Sequence, residues 1–113
     1  METTNASSRI MNARERIDAY GWVFFLDSYY TGVFKARPDG SELTQISKEK
    51  CNEFFLSKID NLVHFHVITD EYSRFNEDAY EYDRYQDTAS YKIMPDGEVV
   101  EIEKSTGYMG SSN

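Results

Sequence analysis

Two stretches of the chain carry the same succession of apolar, polar and turn-forming positions. Phe34-Lys-Ala-Arg-Pro-Asp-Gly40 recurs as Tyr91-Lys-Ile-Met-Pro-Asp-Gly97, and alternating apolar and polar residues follow in Leu43–Ile46 and Val99–Ile102. Proline fixes φ at one turn position, aspartate tolerates the next, and glycine supplies the left-handed residue that closes the turn. The pattern predicts two β-hairpins, each built on a Pro-Asp-Gly turn.

A second correspondence precedes each hairpin. Trp22–Phe25 resembles Leu62–Phe65, and both segments place aromatic and β-branched residues at successive positions. Such segments are typical of strands that are covered on both faces. Glu53–Ser57 reads as a further strand, and residues 58–61 as the turn that joins it to Leu62–Ile68. The repeating unit is therefore an apolar strand, a short link and a hairpin.

We predict one mainly β domain over residues 1–113, made of two tandem antiparallel β-meander repeats that resemble propeller blades. Repeat one covers about residues 16–50 and repeat two about residues 53–104. A chain of this length buries enough surface for one core. Residues 8–19 fit either a helix or a strand, and their apolar spacing favours a short N-terminal helix ending near Glu15. We expect residues 105–113 to form a flexible tail.

The second repeat is longer than the first. Phe25 and Phe34 are nine positions apart, whereas the corresponding Phe65 and Tyr91 are 26 apart, and we place the 17 extra residues at 71–87. This insertion holds six acidic residues, two basic residues and four tyrosines, and so carries half of the net charge of −8. Connections of this length are usually functional or mobile.

Charge and composition narrow the function classes. A net charge of −8 and a pI near 4.7 make direct nucleic-acid binding an unfavourable hypothesis, because that affinity depends on clustered Lys and Arg. The single cysteine, Cys51, rules out an internal disulfide and favours a reducing compartment. The chain starts without a basic and apolar leader, and its longest apolar run is five residues, Trp22–Leu26. We expect a cytoplasmic protein that does not bind membranes.

The first repeat also resembles a known family. Its pattern is Trp22-Val-Phe-Phe, Tyr29-Tyr30, Gly32-Val-Phe34-Lys35, Pro38-Asp39-Gly40 and Leu43-Thr44. It is similar to a bacterial family of unknown function that resembles the β-propeller of low-density-lipoprotein-receptor-related proteins. The resemblance covers about residues 16–104 and implies blade-like sheets with nothing catalytic in the motif. Since a propeller closes with about four to eight blades, two units would either complete a ring in a homo-oligomer or pack on each other as a free-standing sheet or sandwich.

Catalytic and metal chemistry have weak support. His64 and His66 share one face of a predicted strand, but no third residue lies at a sequence spacing typical of metal ligands. A hydrolase using Cys51 and a histidine needs an activated thiol, and nothing around Cys51 marks one. We therefore predict no enzyme activity, no cofactor and no metal.

The insertion supplies the candidate binding site. Tyrosines give stiff, amphipathic contact area, and carboxylates between them attract a basic partner. In a groove of the partner that normally takes nucleic acid, the carboxylates would occupy the positions of phosphates and the rings those of stacked bases. A helical turn over residues 77–85 would place Glu77 and Glu81 on one side. The alternative is a solvated loop that only keeps the protein soluble. The predicted partner-binding residues are Tyr72, Glu77, Asp78, Tyr80, Glu81, Tyr82, Asp83, Tyr85 and Asp87.

Two functional hypotheses follow. The first is a non-catalytic protein-binding module, a small acidic inhibitor or regulator that docks on the basic, nucleic-acid-binding surface of a partner protein. Anti-CRISPR, anti-restriction and nuclease-immunity proteins of phages and bacteria are similar in size and charge, though not in motif. The alternative is an oligomeric propeller-like module that binds a saccharide or peptide through exposed aromatic residues such as Trp22, Tyr29 and Tyr30.

Overall fold

Eight strands run back and forth in chain order and form two antiparallel sheets. The computed structural model describes residues 5–28 and 31–112. Sheet A has the order β1-β2-β3-β4 and sheet B the order β5-β6-β7-β8, so within each sheet consecutive strands of the chain pair with each other. The strands are β1 Glu15–Ala19, β2 Trp22–Leu26, β3 Val33–Ala36, β4 Thr44–Ser47, β5 Lys50–Leu56, β6 Val63–Asn76, β7 Glu81–Ile93 and β8 Val99–Ser112. The mainly β class is confirmed, and the described residues form no closed barrel or propeller.

The two Pro-Asp-Gly segments adopt the same local conformation. They lie in Arg37–Ser41, between β3 and β4, and in Met94–Glu98, between β7 and β8. In each turn the first residue's amide donates to the last residue's carbonyl, and the glycine amide donates back to the first residue's carbonyl, all at 2.8 Å. The glycine φ angles are +87° and +94°, and each turn aspartate accepts the amide hydrogen bond of the residue two further on at 2.9 Å. The left-handed residue and the aspartate acceptor thus recur together.

The core has two layers. The inner layer lies between the sheets, where Phe24 and Leu26 of sheet A pack with Phe65 and Val67 of sheet B. The outer layer covers the opposite face of sheet A, where one short helix, α1 (Ser7–Met11), packs Ile10 against residues of β2 and β3. Within the described ranges no helix has the length and apolar character needed to cross a bilayer.

The N-terminal helix is shorter than predicted. It ends at Met11, and Glu15–Ala19 forms β1, paired with β2 from Glu15↔Leu26 to Ala19↔Trp22. The prediction of helix up to Glu15 is therefore wrong. Ile17 packs against the core between the sheets, so pairing with the buried strand β2 decides the conformation rather than the helical spacing of the apolar residues.

The insertion and the tail also differ from prediction. Residues 77–80 form a turn and Glu81 begins β7, so the helical turn considered for residues 77–85 does not form. β6 and β7 stay paired from Val63↔Ile93 out to Asn76↔Glu81. Residues 105–112, expected to be a flexible tail, continue β8 along β7. Tyr and Thr favour extended strands, and a long hairpin gives this end of the chain a neighbour to pair with.

The extended hairpin makes the molecule elongated. The radius of gyration is 17.3 Å, compared with about 13 Å for a compact domain of this length. The principal extents are 57 × 36 × 19 Å. Sheet B therefore projects well beyond the region where it packs on sheet A.

Candidate functional site

The projecting part of sheet B is a three-stranded arm, defined here as residues 70–87 of β6, the turn and β7, together with residues 105–112 of β8. β5 reaches only as far as the Lys50↔Ile68 pair, so β6 has a neighbour on one side beyond that point. The register shifts between Ile68 and Asp70, and this bulge marks where the arm begins. None of the residues in the two core clusters belongs to the arm.

A ladder of three tyrosines crosses one face of the arm. Tyr72 and Tyr85 are cross-strand partners whose rings stack with 5.6 Å between centroids. Tyr85 in turn meets Tyr108 of β8 edge-on at 5.8 Å. This inner face continues the core-facing side of sheet B. Tyr85 is separated from the buried Ala89 and Ile93 by even numbers of residues along β7, so the three side chains lie on the same face. Cross-strand aromatic contacts of this kind stiffen a sheet where it extends beyond its packing partner.

Two carboxylates of β7 are fixed beside this ladder. Asp87 accepts hydrogen bonds from the hydroxyl groups of Thr106 at 2.7 Å and Tyr72 at 3.4 Å. Asp83 accepts from the amide of Asn76 at 3.2 Å and from the hydroxyl of Ser111 at 3.2 Å. These donors are neutral, so they orient both carboxylates without cancelling their charge.

The cations of the arm do not neutralise its acidic residues. Among the described residues, no ion pair links an arm carboxylate to a lysine or arginine. The guanidinium carbon of Arg74 lies over tyrosine rings instead, 5.4 Å from the centroid of Tyr72 and 5.9 Å from that of Tyr85. The arm therefore presents a net negative field to anything that approaches it.

A second aromatic group occupies the end of the arm. Phe75 and Tyr82 are cross-strand partners with edge-on rings at 5.3 Å, and Tyr80 in the turn meets Phe75 edge-on at 5.7 Å. The exposed fractions are 48 % for Phe75, 53 % for Tyr82 and 86 % for Tyr80. We call these three residues the tip cluster.

The structure brings all nine sequence-predicted residues onto the arm but divides them between its two faces and its end. Tyr72, Glu81, Asp83, Tyr85 and Asp87 align along the inner face by register, Tyr82 lies on the opposite face, and Glu77, Asp78 and Tyr80 lie in the turn.

Sequence reasoning missed two aromatic members of this surface. Phe75 lies inside the insertion and is the ring that both Tyr80 and Tyr82 contact, but a prediction built on tyrosines and carboxylates does not include it. Tyr108 lies in the segment expected to be a tail. The alternation of Thr106 and Tyr108 was the only sequence signal for a strand there.

Cys51 and the two histidines are separated by sheet B. Cys51 belongs to the core layer, where its thiol donates to the carbonyl of Glu53, and burial raises the pKa of that thiol. The histidines alternate with the core residues of β6 and face outward, where His64 pairs with Asp60 at 2.9 Å and His66 with Glu53 at 2.6 Å. A thiol on one face and imidazoles on the other do not form a nucleophile–base pair.

The histidine–carboxylate pairs on the outward face do not assemble a metal site. Partial burial opposes ionisation of Asp60, but hydrogen bonds from His64 and from the Leu62 amide outweigh it and hold the pKa of Asp60 below its usual range. Across residues 5–28 and 31–112, no group of three or more His, Cys, Asp or Glu side chains is arranged to hold a metal ion.

The aromatic residues named for saccharide binding do not form a described platform. Trp22 is half-buried, and its ring is covered by cations, with the guanidinium carbon of Arg37 at 3.7 Å and the ammonium of Lys35 at 4.3 Å from its centroid. Tyr29 and Tyr30 lie outside the described residues.

Comparisons with known proteins give no family assignment. Protein-family models, curated proteins and solved structures were each searched, and none of the three searches returned a match. The function must therefore be argued from the arm itself.

Proposed function

We propose that this protein is a non-catalytic binding module, an acidic inhibitor or regulator whose arm docks on the basic, nucleic-acid-binding surface of a partner protein. One observation carries the proposal. The arm projects beyond both core layers and presents aromatic rings together with carboxylates that form no ion pair with a lysine or arginine of the described residues. Anti-CRISPR, anti-restriction and nuclease-immunity proteins provide the analogy of size and charge.

The arm is hard to explain as a structural element alone. It adds no residue to either core cluster, and ordering it costs conformational entropy that its own contacts must offset. A loop needed only for solubility would not require a tyrosine ladder or carboxylates oriented by hydroxyl donors. A pre-ordered surface, by contrast, lowers the entropic cost of binding.

The charge pattern favours a cationic partner. Glu81 and Asp83 occupy successive inner-face positions of β7, which spaces their Cα atoms by about 6.6 Å along the strand. Rings flank these carboxylates, as bases flank phosphates in a single strand. A negative field of this kind accelerates encounter with a basic surface and weakens as salt is added.

We also infer that the two sheets are two copies of one unit, the second lengthened in its central hairpin. The common strand order and the matching Pro-Asp-Gly turns support this inference. The resemblance of the unit to a propeller blade remains a prediction. A duplicated scaffold with one enlarged hairpin is a simple route to a projecting binding element.

An armless variant tests the proposal. Residues 71–86, bounded by the Asp70↔Asp87 pair, are replaced by Asn-Gly, and the chain is ended after Thr106, the partner of Asp87. Circular dichroism and thermal unfolding check that the core remains. The whole chain and the armless variant are then used to capture proteins from the native host at about 50 mM and about 300 mM salt. These concentrations lie below and above the value of about 0.1 M at which the Debye length is roughly 10 Å.

A charge-matched pair of variants separates the arm from net charge. One variant changes Glu77, Asp78 and Glu81 to Gln, Asn and Gln. The other changes Glu15, Glu49 and Glu98 to Gln, which removes the same charge from exposed positions outside the arm.

We expect a protein that binds the whole chain at low salt, is lost from the armless variant, and binds the arm variant about tenfold more weakly than the control. Equal capture by the whole and armless chains would refute the proposal.

A further inference from the structure

Two tyrosines of this chain occupy left-handed backbone conformations, and only one of them has a structural reason to do so. Tyr20 and Tyr80 both have a φ of +56°, a region in which a side chain with a Cβ atom is strained and where Gly or Asn is preferred. The hydroxyl of Tyr20 donates to the carbonyl of Asn61 at 3.3 Å and accepts from the amide of Val63 at 3.1 Å. Its ring also packs edge-on against the buried Phe24.

No comparable hydrogen bonds or core packing compensate for the backbone strain at Tyr80. Its ring is 86 % exposed and meets only Phe75, edge-on, and its hydroxyl has no hydrogen-bond partner among the described residues. The turn is held without it, because the side-chain carbonyl of Asn76 accepts from the amides of Asp78 and Ala79. A glycine at position 80 would keep this turn and remove the strain.

We propose that the tip cluster, with Tyr80 at its centre, is an anchor that inserts into an apolar pocket rimmed by Lys or Arg on the partner protein. Residues held in sparsely populated conformations concentrate at binding sites, where the strain places a side chain that binding needs. Exposed aromatic rings gathered at one point are typical of the few interface residues that carry most of the affinity.

Charge complementarity identifies the rim of that pocket. Glu77 and Asp78 precede Tyr80 in the turn and Glu81 follows it, so acidic residues flank the exposed tyrosine along the chain. A partner surface that accepts the rings must therefore accept these charges around them. A purely apolar pocket would desolvate the carboxylates at a cost, whereas Lys or Arg at its edge would pair with them.

This inference rests on the proposed function, since it assigns the chemistry of the partner that the arm binds. It divides the interaction into two parts with different kinetics. The carboxylates govern the association rate and its salt dependence, whereas the buried rings govern the dissociation rate. The two parts can therefore be tested separately.

The first experiment is photo-crosslinking of the full chain in host cells, with p-benzoylphenylalanine in place of Tyr80. The same residue in place of Ile59, which is 99 % exposed in a turn outside the arm, is the control. We expect position 80 to give one discrete adduct whose crosslinked peptide combines apolar residues with Lys or Arg, and position 59 not to give it. Absence of an adduct at position 80, an adduct on a second copy of this chain, or an acidic crosslinked peptide would overturn the inference.

The second experiment uses the strain itself. Tyr80→Gly should raise the unfolding temperature, yet increase the dissociation rate of the crosslinked protein, purified for the measurement, by about thirtyfold. Tyr20→Gly, the matched control at the same φ, should lower the unfolding temperature because it removes the hydrogen bonds to Asn61 and Val63. Stabilisation and weakened binding in one variant cannot arise from damage to the fold.

The outcomes separate this inference from the proposed function. If the armless variant loses binding but Tyr80→Gly and Phe75→Ala bind as tightly as the whole chain, the arm binds its partner and the anchor is wrong. If the armless variant binds as the whole chain does, the proposed function is wrong and the anchor with it.

Discussion

Tyr72 and Tyr85 lie directly opposite each other on β6 and β7, and their rings stack with 5.6 Å between centroids and 20° between planes. This pair lies beyond the last residue of β6 that pairs with β5, where no second sheet or helix of the described chain packs against sheet B. Side-chain contacts between strands must therefore keep the arm extended. The stack therefore keeps the arm ordered and is also part of the surface that we propose for binding.

Removing one ring of the stack should loosen the arm without affecting the core. For Tyr72→Thr, which keeps strand propensity, we expect a loss of about 1 kcal/mol, the upper end for one cross-strand pair. Amide hydrogen exchange should accelerate over residues 71–76 and 81–86. Exchange over residues 63–67 and 89–93 should stay unchanged, and acceleration throughout sheet B would contradict the separation between arm and core.

Two phenylalanines of the same strand offer a matched comparison. Phe65 is 1 % exposed and stacks on Tyr91 at 5.2 Å, whereas Phe75 is 48 % exposed in the tip cluster. Phe65→Ala should lower the free energy of unfolding by about 3–5 kcal/mol through cavity formation, and Phe75→Ala by less than about 1 kcal/mol. Urea unfolding measures both, and similar losses would show that the tip is part of the core.

Two glycines with the same φ of +107° separate steric clash from backbone strain. A Cβ at Gly32 would lie 2.0 Å from the carbonyl oxygen of Ser47, while one at Gly110 would meet nothing within 4 Å. Gly110→Ala should cost about 1 kcal/mol for strain alone, and Gly32→Ala at least about 3 kcal/mol because β4 must move. Equal losses of unfolding free energy would contradict the close approach of β3 and β4.

Acid should weaken the fold through carboxyl groups that are stabilised when ionised. Hydrogen bonds from the hydroxyl and then the amide of Ser41 lower the pKa of Asp39 from its ordinary value of 3.8, and a hydrogen bond from Arg16 lowers that of Asp18. A folded pKa below the unfolded one contributes stability that is present above the ordinary value and is lost as pH falls through the folded pKa.

The free energy of unfolding should therefore decline as pH drops below about 4. Ser41→Ala removes one of the two kinds of hydrogen bond to Asp39 and should make this decline shallower. Urea midpoints measured from pH 5 to pH 2.5 test the prediction, and identical slopes for the variant and the unchanged chain would count against it.

The mainly β class could be predicted from the sequence because its signals are local. Two Pro-Asp-Gly turns, and β-branched or aromatic residues around Val23 and Phe65, each indicate extended structure within a few residues. The N-terminal segment shows where local signals fail. Ile17 fits a helical spacing, but pairing with β2 makes it part of a strand.

The form of the arm could not be predicted, for two physical reasons. Both of its faces meet solvent, so Tyr82 on one face and Tyr85 on the other leave no apolar and polar alternation to detect. The bulge between Ile68 and Asp70 also changes which positions of β6 face inward. The partner of Tyr85 in β8, Tyr108, is distant in the chain, and no local pattern connects the two.

The candidate residues were found by composition, and their arrangement needed the structure. Acidic residues and tyrosines mark the insertion whatever conformation it adopts. Only the register shows that Asp83 and Asp87 share a face with the tyrosine ladder while Tyr80 and Tyr82 join Phe75 at the tip. A binding role for these residues remains a prediction.

Hydrogen exchange of the complex between the full chain and its crosslinked partner tests the central claim most directly. If the arm is the docking element, protection on binding should be confined to residues 71–86 and 105–112, be strongest in the turn around Tyr80, and decrease as salt is raised. Protection that falls on sheet A or on the outward face around His64, with the arm exchanging as in the free protein, would contradict the account.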